Sequence, residues 1–414
     1  MLPARKTRQG NCLVTNQNHT EQKHIVVVGS SLAGVRAVEA IRRTGFDARV
    51  SLVGAEKHFP PVDRPPLSKK FLREEGLAET LRMAPDLDVE LRLAREAIGL
   101  NVPAREVRLD DGTRLRYDGL VIATGATVRR LPGTEGVSNV HMLRTLEDAK
   151  ALRSALVPGA RVAVIGAGVL GCEIAATCRA LGIDVTLIDV FSQPMLRILG
   201  AAVAPLLADL HRQHGVRLLL DQQVLGLRGL GQADGVLLAD GQVVSCDVVV
   251  VAIGAFPETR WLEGSGLELA DGVVCDSECF ALGGDSRVVA AGDVARWHHR
   301  LLGETLRVEH WSNAVSQGQA AARNLVARLE DSGETASYDA LPYFWTDQYD
   351  WKVQFIGTLG EQARFEEGEP GDRAFVVSYT SEGRLTGALF ANRPGRLAAW
   401  RKQITAALEG SAAA

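Results

Sequence analysis

Two glycine-rich turns carry the residue types best suited to holding a charged small molecule. One lies in the segment from His24 to Gly54, HIVVVGSSLAGVRAVEAIRRTGFDARVSLVG, and the other in the segment from Arg161 to Asp189, RVAVIGAGVLGCEIAATCRALGIDVTLID. In each, a run of apolar β-formers leads into the turn, a helix with small residues toward the sheet follows, and a second glycine turn opens another apolar strand. Glycine is needed because the chain turns sharply from strand to helix and because a pyrophosphate must approach the backbone with no Cβ in the way. The helix N-terminus then offers free N–H groups and a positive dipole end to the phosphates. The second copy keeps all three glycines, Gly166, Gly168 and Gly171, with Val169 and Leu170 opening its helix. The first keeps Gly29 and Gly34, with Ser31 in the middle place and Leu32 and Ala33 following. Two such units in one chain predict two bound dinucleotides, an arrangement suited to moving electrons between them.

The acidic residue after each second strand sorts the ligands. Asp189 stands 18 residues past Gly171, where a carboxylate accepts hydrogen bonds from adenosine ribose hydroxyls and repels a 2′-phosphate. Val190, Phe191, Ser192 and Gln193 supply no Arg to hold that phosphate, so NADH is expected over NADPH. In the first unit the strand ends at Gly54 and the nearest carboxylate is Glu56.

Further stations are RPPLSK (Arg64 to Lys69), LVIATGA (Leu120 to Ala126), LRTLEDA (Leu143 to Ala149), AGDVA (Ala291 to Ala295), EHWSNAVSQG (Glu309 to Gly318), PYFWTDQYD (Pro342 to Asp350) and NRP (Asn392 to Pro394). With the two glycine turns they make the chain, from about Ile25 to about Arg401, resemble the FAD-dependent ferredoxin reductases that serve bacterial cytochrome P450 and aromatic-dioxygenase systems. The resemblance implies that the first unit holds FAD and the second NADH. Arg64 suits the doubly negative flavin pyrophosphate, and Lys69 can reach the flavin N5 edge. Ala123, Thr124 and Gly125 form a turn where the nucleotide passes close to backbone, with Arg129 or Arg130 reaching phosphate. Asp293 would accept a ribityl hydroxyl beside Gly292, and Gly254 would lie under the NADH backbone.

Hydride transfer from nicotinamide to flavin needs two rings stacked, dry and oriented, with no nucleophile and no metal. Glu173 resembles the glutamate at the nicotinamide end, and Trp311 and Trp345 the tryptophans bordering the flavin. Lys69, Glu173, Trp311 and Trp345 are therefore the expected catalytic set. The chain departs from its relatives at Ser31, at Pro61 and Val62 in place of a Tyr-containing loop, and at Ser316, where Glu is common. No Cys stands from Gly34 through Arg43, which argues against disulfide reduction and for one-electron delivery to an iron–sulfur ferredoxin feeding a cytochrome P450 or other oxygenase. Two other readings stay open: an NADH oxidase or small-acceptor reductase, and an apoptosis-inducing-factor-like flavoprotein.

For the elements that must position these residues, the resemblance implies an α/β chain of two Rossmann-like dinucleotide-binding domains plus a C-terminal α+β reductase domain. The expected division is a disordered tail at 1–22, a discontinuous FAD domain at 23–132 and 257–334, an NADH domain at 133–256, and the C-terminal domain at 335–414. A formal charge of −4 argues against nucleic acid as the main partner. No apolar run approaches the roughly 20 residues of a membrane helix, and the start lacks a secretory pattern, so no membrane partner is expected and the cytoplasm is the expected compartment. The six cysteines, Cys12, Cys172, Cys178, Cys246, Cys275 and Cys279, form no C-x-x-C pair and are expected as buried small apolar residues. An acidic ferredoxin would need a locally basic face. Arg393, Arg396, Arg401 and Lys402 supply one candidate, expected to lack acidic neighbours, and Arg296, Arg300 and Arg307 with His298 and His299 another.

Overall fold

The computed structural model describes residues 22–412, apart from Glu75, Asp86 and Ser332. Residues 1–21, with Cys12 and most of the expected tail, lie outside the described residues. The first repeat forms a five-stranded parallel sheet in which Lys23–Val28 is central. Gly119–Ile122 and then Val288–Ala290 lie on one side, and Ala48–Gly54 and then Glu90–Leu93 on the other. The second repeat builds the same sheet around Arg161–Ile165, with Asp184–Ile188 and Arg217–Leu219 on one side and Val248–Val251 and Val140–His141 on the other. Near-continuous Val, Ile and Leu runs suit strands covered on both faces, and Ile25, Val26, Val27, Ala163 and Val164 have no solvent exposure.

The duplication reaches further than the glycine turns. Each unit also carries a three-stranded antiparallel meander, Ala97–Asn101 to Arg114–Arg116 in the first and Val224–Arg228 to Val243–Ser245 in the second. A short antiparallel pair, Ala126–Val128 with Ala255–Pro257, carries the chain between the units in both directions. The second unit is thus inserted into the first.

A C-terminal antiparallel sheet of Tyr343–Gln348, Trp351–Gly357, Arg384–Ala391, Phe375–Ser381 and Gln362–Glu367 completes the fold, backed by the helix Leu397–Ala412. Ile404 and Leu408 of that helix are buried against Ile356, Val376 and Phe390. The expected α/β architecture, with two Rossmann-like units and an α+β third domain, is therefore the fold. No helix among the described residues is long and apolar enough to cross a membrane. The five described cysteines are free and buried.

Candidate functional site

The two glycine turns superimpose in their contacts. Gly29 N–H donates to Val53 O and Gly166 N–H to Ile188 O, both at 2.8 Å, so each turn is tied to the end of its second strand. Gly166 has φ +102°, and a Cβ on Gly171 would stand 1.9 Å from Gly166 O. These two glycines are demanded by the fold. Gly168 is different: a Cβ there would have nothing within 4 Å, because it faces the open space before the helix Val169–Ala180. The absence of a side chain at 168 leaves room for a ligand. Ser31 fills the equivalent place before Leu32–Thr44, and its hydroxyl makes no cap to its own helix, which leaves it available to a phosphate.

Register separates the two acidic residues. Val28 pairs with Val53 and Ile165 with Ile188, so Gly54, not Glu56, stands where the second unit has Asp189. A side chain at 54 would have to displace Ser30, since its Cβ would lie 1.8 Å from Ser30 Oγ. Glu56 lies two residues on and accepts from Arg64 at 2.7 Å. Asp189 accepts from Phe191 N–H at 2.9 Å and from Ala167 N–H, which ties the carboxylate to the glycine turn.

Around the first turn the structure gathers Arg64, Arg144, Asp293 and Gly125. Arg144 pairs with Asp293 at 2.9 Å, and a Cβ on Gly125 would lie 3.3 Å from its guanidinium. Burial and the like charge of Arg144 push the Arg64 guanidinium below its ordinary value. Two adjacent cations so placed match a doubly charged pyrophosphate. Arg144 was missed in the sequence: it stands just before Thr145, whose capping box with Asp148 starts Leu146–Ala155. That box was the available signal. Thr124 Oγ1 donates to Glu258 O at 2.8 Å, which fixes the turn after Gly119–Ile122. Gly292 N–H donates to Gln317 Oε1 at 2.9 Å, and a Cβ on Gly292 would stand 2.9 Å from Ala33 Cβ. Arg129 is drawn to the connection between units, with its guanidinium 3.6 Å from the Phe256 ring centre and its Nε donating to Ala255 O beside Gly254.

Lys69 follows the short 3-10 turn Pro65–Ser68, and its Nζ reaches Glu173 Oε1 at 2.8 Å. Ser68 Oγ donates to Glu173 Oε2 at 2.6 Å, and Thr346 Oγ1 donates to Glu173 Oε1 at 2.7 Å. One carboxylate on the second unit is thus gripped by the first unit and the C-terminal sheet. Trp311 opens the helix Trp311–Glu330, donates from Nε1 to Asp63 Oδ1 at 2.9 Å, and meets Trp345. Burial raises the Asp63 carboxyl. His310, just before Trp311, is pushed down to about 4 by burial, and its Nδ1 is buried with no partner. An imidazole nitrogen left so is suited to a bound ligand.

The departures also have structural answers. Pro61 O accepts from Leu81 N–H, Val62 bridges to Thr80, and Asp63 N–H donates to Glu79 O, so a neighbouring segment pins the altered loop. Ser316 Oγ meets Tyr338 OH at 2.6 Å, and the tyrosine fills the space over that helix. Of the basic clusters, Arg300 pairs with Asp339, Arg307 with Asp271 and Glu309, and His299 is fully buried. Arg396 pairs with Glu367 at 2.8 Å, which corrects the expectation that the C-terminal cluster has no acidic neighbour. Arg393, Arg401 and Lys402 stay exposed, with Arg401 over the Tyr343 ring. Among the described residues no group of His, Cys, Asp and Glu could hold a metal ion.

Residues 23–318 match the family model described as pyridine nucleotide-disulphide oxidoreductase. The chain belongs to this family. Residues 343–414 match a second model, the reductase C-terminal domain. The chain is 36% identical to the ferredoxin–NAD(+) reductase component of the anthranilate 1,2-dioxygenase system of Burkholderia cepacia, over 92% of this chain and 94% of that protein. It is 34% identical to rhodocoxin reductase of Rhodococcus erythropolis, over 91% and 88%. Among solved structures, it is similar to the covalent putidaredoxin reductase–putidaredoxin complex, with TM-score 0.86 and 30% identity over 92% of this chain and 93% of that one. A family of electron-transferring reductases thus shares both the fold and nearly the whole length of the chain.

Proposed function

We propose that this protein is an NADH-dependent, FAD-containing ferredoxin reductase of the cytoplasm, passing electrons to an iron–sulfur ferredoxin that feeds a cytochrome P450 or other oxygenase. One observation carries the reading: Lys69 of the first cradle and Glu173 of the second stand 2.8 Å apart, so the reactive ends of two dinucleotide sites meet at one ion pair. Bound FAD would supply the chemistry, taking two electrons with a hydride from NADH and releasing them singly.

The protein's part is positioning. Arg64 and Arg144 would hold the flavin pyrophosphate over Gly29 and Ser31, and Asp293 a ribityl hydroxyl. Gly168 and the start of Val169–Ala180 would receive the pyrophosphate of NADH, with Asp189 at its adenosine ribose. Lys69 and Glu173 would fix the two rings against each other, while Trp311 and Trp345 keep water from the junction and stand toward the acceptor. NADH-driven cytochrome c reduction that requires an added ferredoxin supports this reading. Rapid turnover on oxygen alone, with no gain from any ferredoxin, would replace it with an oxidase.

A further inference from the structure

Glu173 ends a chain of buried hydrogen bonds that begins far from the two cradles. Thr346 Oγ1 lies 2.7 Å from Glu173 Oε1, Gln348 Nε2 lies 3.1 Å from Thr346 Oγ1, and His211 Nε2 lies 3.0 Å from Gln348 Oε1. His211 Nδ1 in turn lies 3.0 Å from Tyr349 OH. Glu173, Thr346, Gln348 and His211 are 5%, 0%, 1% and 0% exposed, so the row is shielded from bulk solvent.

The donor and acceptor inventory leaves this chain a single direction. A carboxylate facing Lys69 only accepts, so the Thr346 hydroxyl donates a hydrogen bond to Glu173 and accepts one in turn. That bond comes from the Gln348 amide group, which turns the Gln348 carbonyl toward His211. The carbonyl only accepts, so His211 carries its proton on Nε2, and its bare Nδ1 accepts from the Tyr349 hydroxyl. Burial pushes the imidazole down to about 4, in keeping with a neutral ring holding one proton. Every dipole therefore points at Glu173. Bonds aligned this way polarise one another and strengthen toward the charged end.

Three parts of the fold meet in this row. Glu173 sits on Val169–Ala180 and His211 on Ala204–Gln213 of the second unit, whereas Thr346 and Gln348 alternate on one face of the C-terminal strand Tyr343–Gln348. The outer end is anchored by Tyr349, which stacks on His214 with ring centres 3.7 Å apart. His214 lines a cleft of about 220 Å³ between Ala204–Gln213 and the C-terminal domain. The helix and the strand thus share one polar seam whose only ionic member is the carboxylate beside Lys69.

We propose that Gln348 and His211 are positioning residues for electron entry, which set the Thr346 hydroxyl and through it the Glu173 carboxylate that meets NADH. The proposal rests on the ferredoxin-reductase reading for the role of Glu173, but the direction of the chain does not. Neither residue touches the cradles, and their path to the Glu173 carboxylate runs through Thr346, while the Gln348 amide also lies 3.5 Å from Met195 Sδ.

The test uses the FAD-loaded full chain. Selective ¹⁵N labelling of histidine in the NADH-free protein should show His211 protonated at Nε2 and bare at Nδ1 near pH 7. In stopped flow, His211→Phe and Thr346→Val should each lower the limiting rate of flavin reduction by NADH about ten-fold, the scale of one charge-assisted hydrogen bond. Flavin content and the rate of reduction by dithionite, which makes no use of Glu173, should stay within about two-fold of the parent. His211→Gln places an amide near the Nε2 position and should recover most of the loss. If His211→Phe does not fold, Thr346→Val and the histidine tautomer still decide. Protonation at Nδ1, unchanged NADH rates in the folded variants, or equal slowing by dithionite would each overturn the proposal. A parent protein that holds FAD but ignores NADH would instead overturn the functional reading and leave the tautomer standing.

Discussion

Trp345 meets Trp311 edge to face, with ring centres 6.0 Å apart and planes at 74°. One indole comes from the helix that opens beside the first cradle and the other from the C-terminal sheet, so the pair closes the seam between the flavin-binding unit and the third domain. Tyr343 stacks on the outer side of Trp345 at 6.2 Å, and Arg401 lies over Tyr343. A row of aromatic rings thus runs from Trp311 to the exposed basic helix.

Trp345→Ala should therefore separate the two halves of the reaction. Ferredoxin-dependent cytochrome c reduction should fall about ten-fold or more, as for an aromatic anchor at an interface, while NADH-driven flavin reduction, for which Trp311 still covers the junction, falls much less. Trp345→Phe should keep most of the activity. Equal loss in both half-reactions would place Trp345 at the nicotinamide instead.

The exposed guanidinium and ammonium groups of Arg393, Arg401 and Lys402 face solvent without an ion pair among the described residues. Their attraction for an acidic ferredoxin is screened over about 10 Å at 0.1 M salt. Raising salt from about 50 to about 500 mM should slow ferredoxin reduction about ten-fold, with ferricyanide reduction nearly unchanged. Neutralising the three charges, by Arg393→Gln, Arg401→Gln and Lys402→Gln together, should remove most of the salt dependence.

Asp189→Asn keeps an oxygen for the Phe191 N–H and deletes the charge. The preference for NADH over NADPH, as a ratio of kcat/KM values, should fall about ten-fold, chiefly through better use of NADPH. An unchanged ratio would mean that another group repels the 2′-phosphate.

Gly168 and Gly171 should fail in different ways. Gly171→Ala drives a Cβ to within 1.9 Å of Gly166 O and should destabilise the protein by about 1–3 kcal/mol, read from the urea midpoint. Gly168→Val enters open space, so stability should hold while NADH binding weakens at least about ten-fold. Those two readouts distinguish a fold requirement from a ligand requirement.

The glycine turns were legible because their cause is local: strand, turn and helix follow one another within a few residues. The second unit was legible for the same reason, as a repeat. What the sequence hid depends on residues that meet only in space. Arg144 had no role of its own within LRTLEDA, and its guanidinium meets Asp293 only in space. Glu56 was legible only as the nearest carboxylate after Gly54, and its pairing with Arg64 appears only in space. Arg396 looked unopposed until Gln362–Glu367 brought Glu367 to it. The bonds from His211 to Glu173 join a helix to a strand distant in the chain, and no spacing rule could align them.

The most direct test is an anaerobic titration of the purified, flavin-loaded protein with NADH, followed by oxidised ferredoxin. One equivalent of NADH should bleach the flavin absorbance within the stopped-flow record, and two equivalents of ferredoxin should restore it. A protein that retains no flavin when supplied with FAD, or whose bound flavin stays oxidised in excess NADH, would contradict the account at its root.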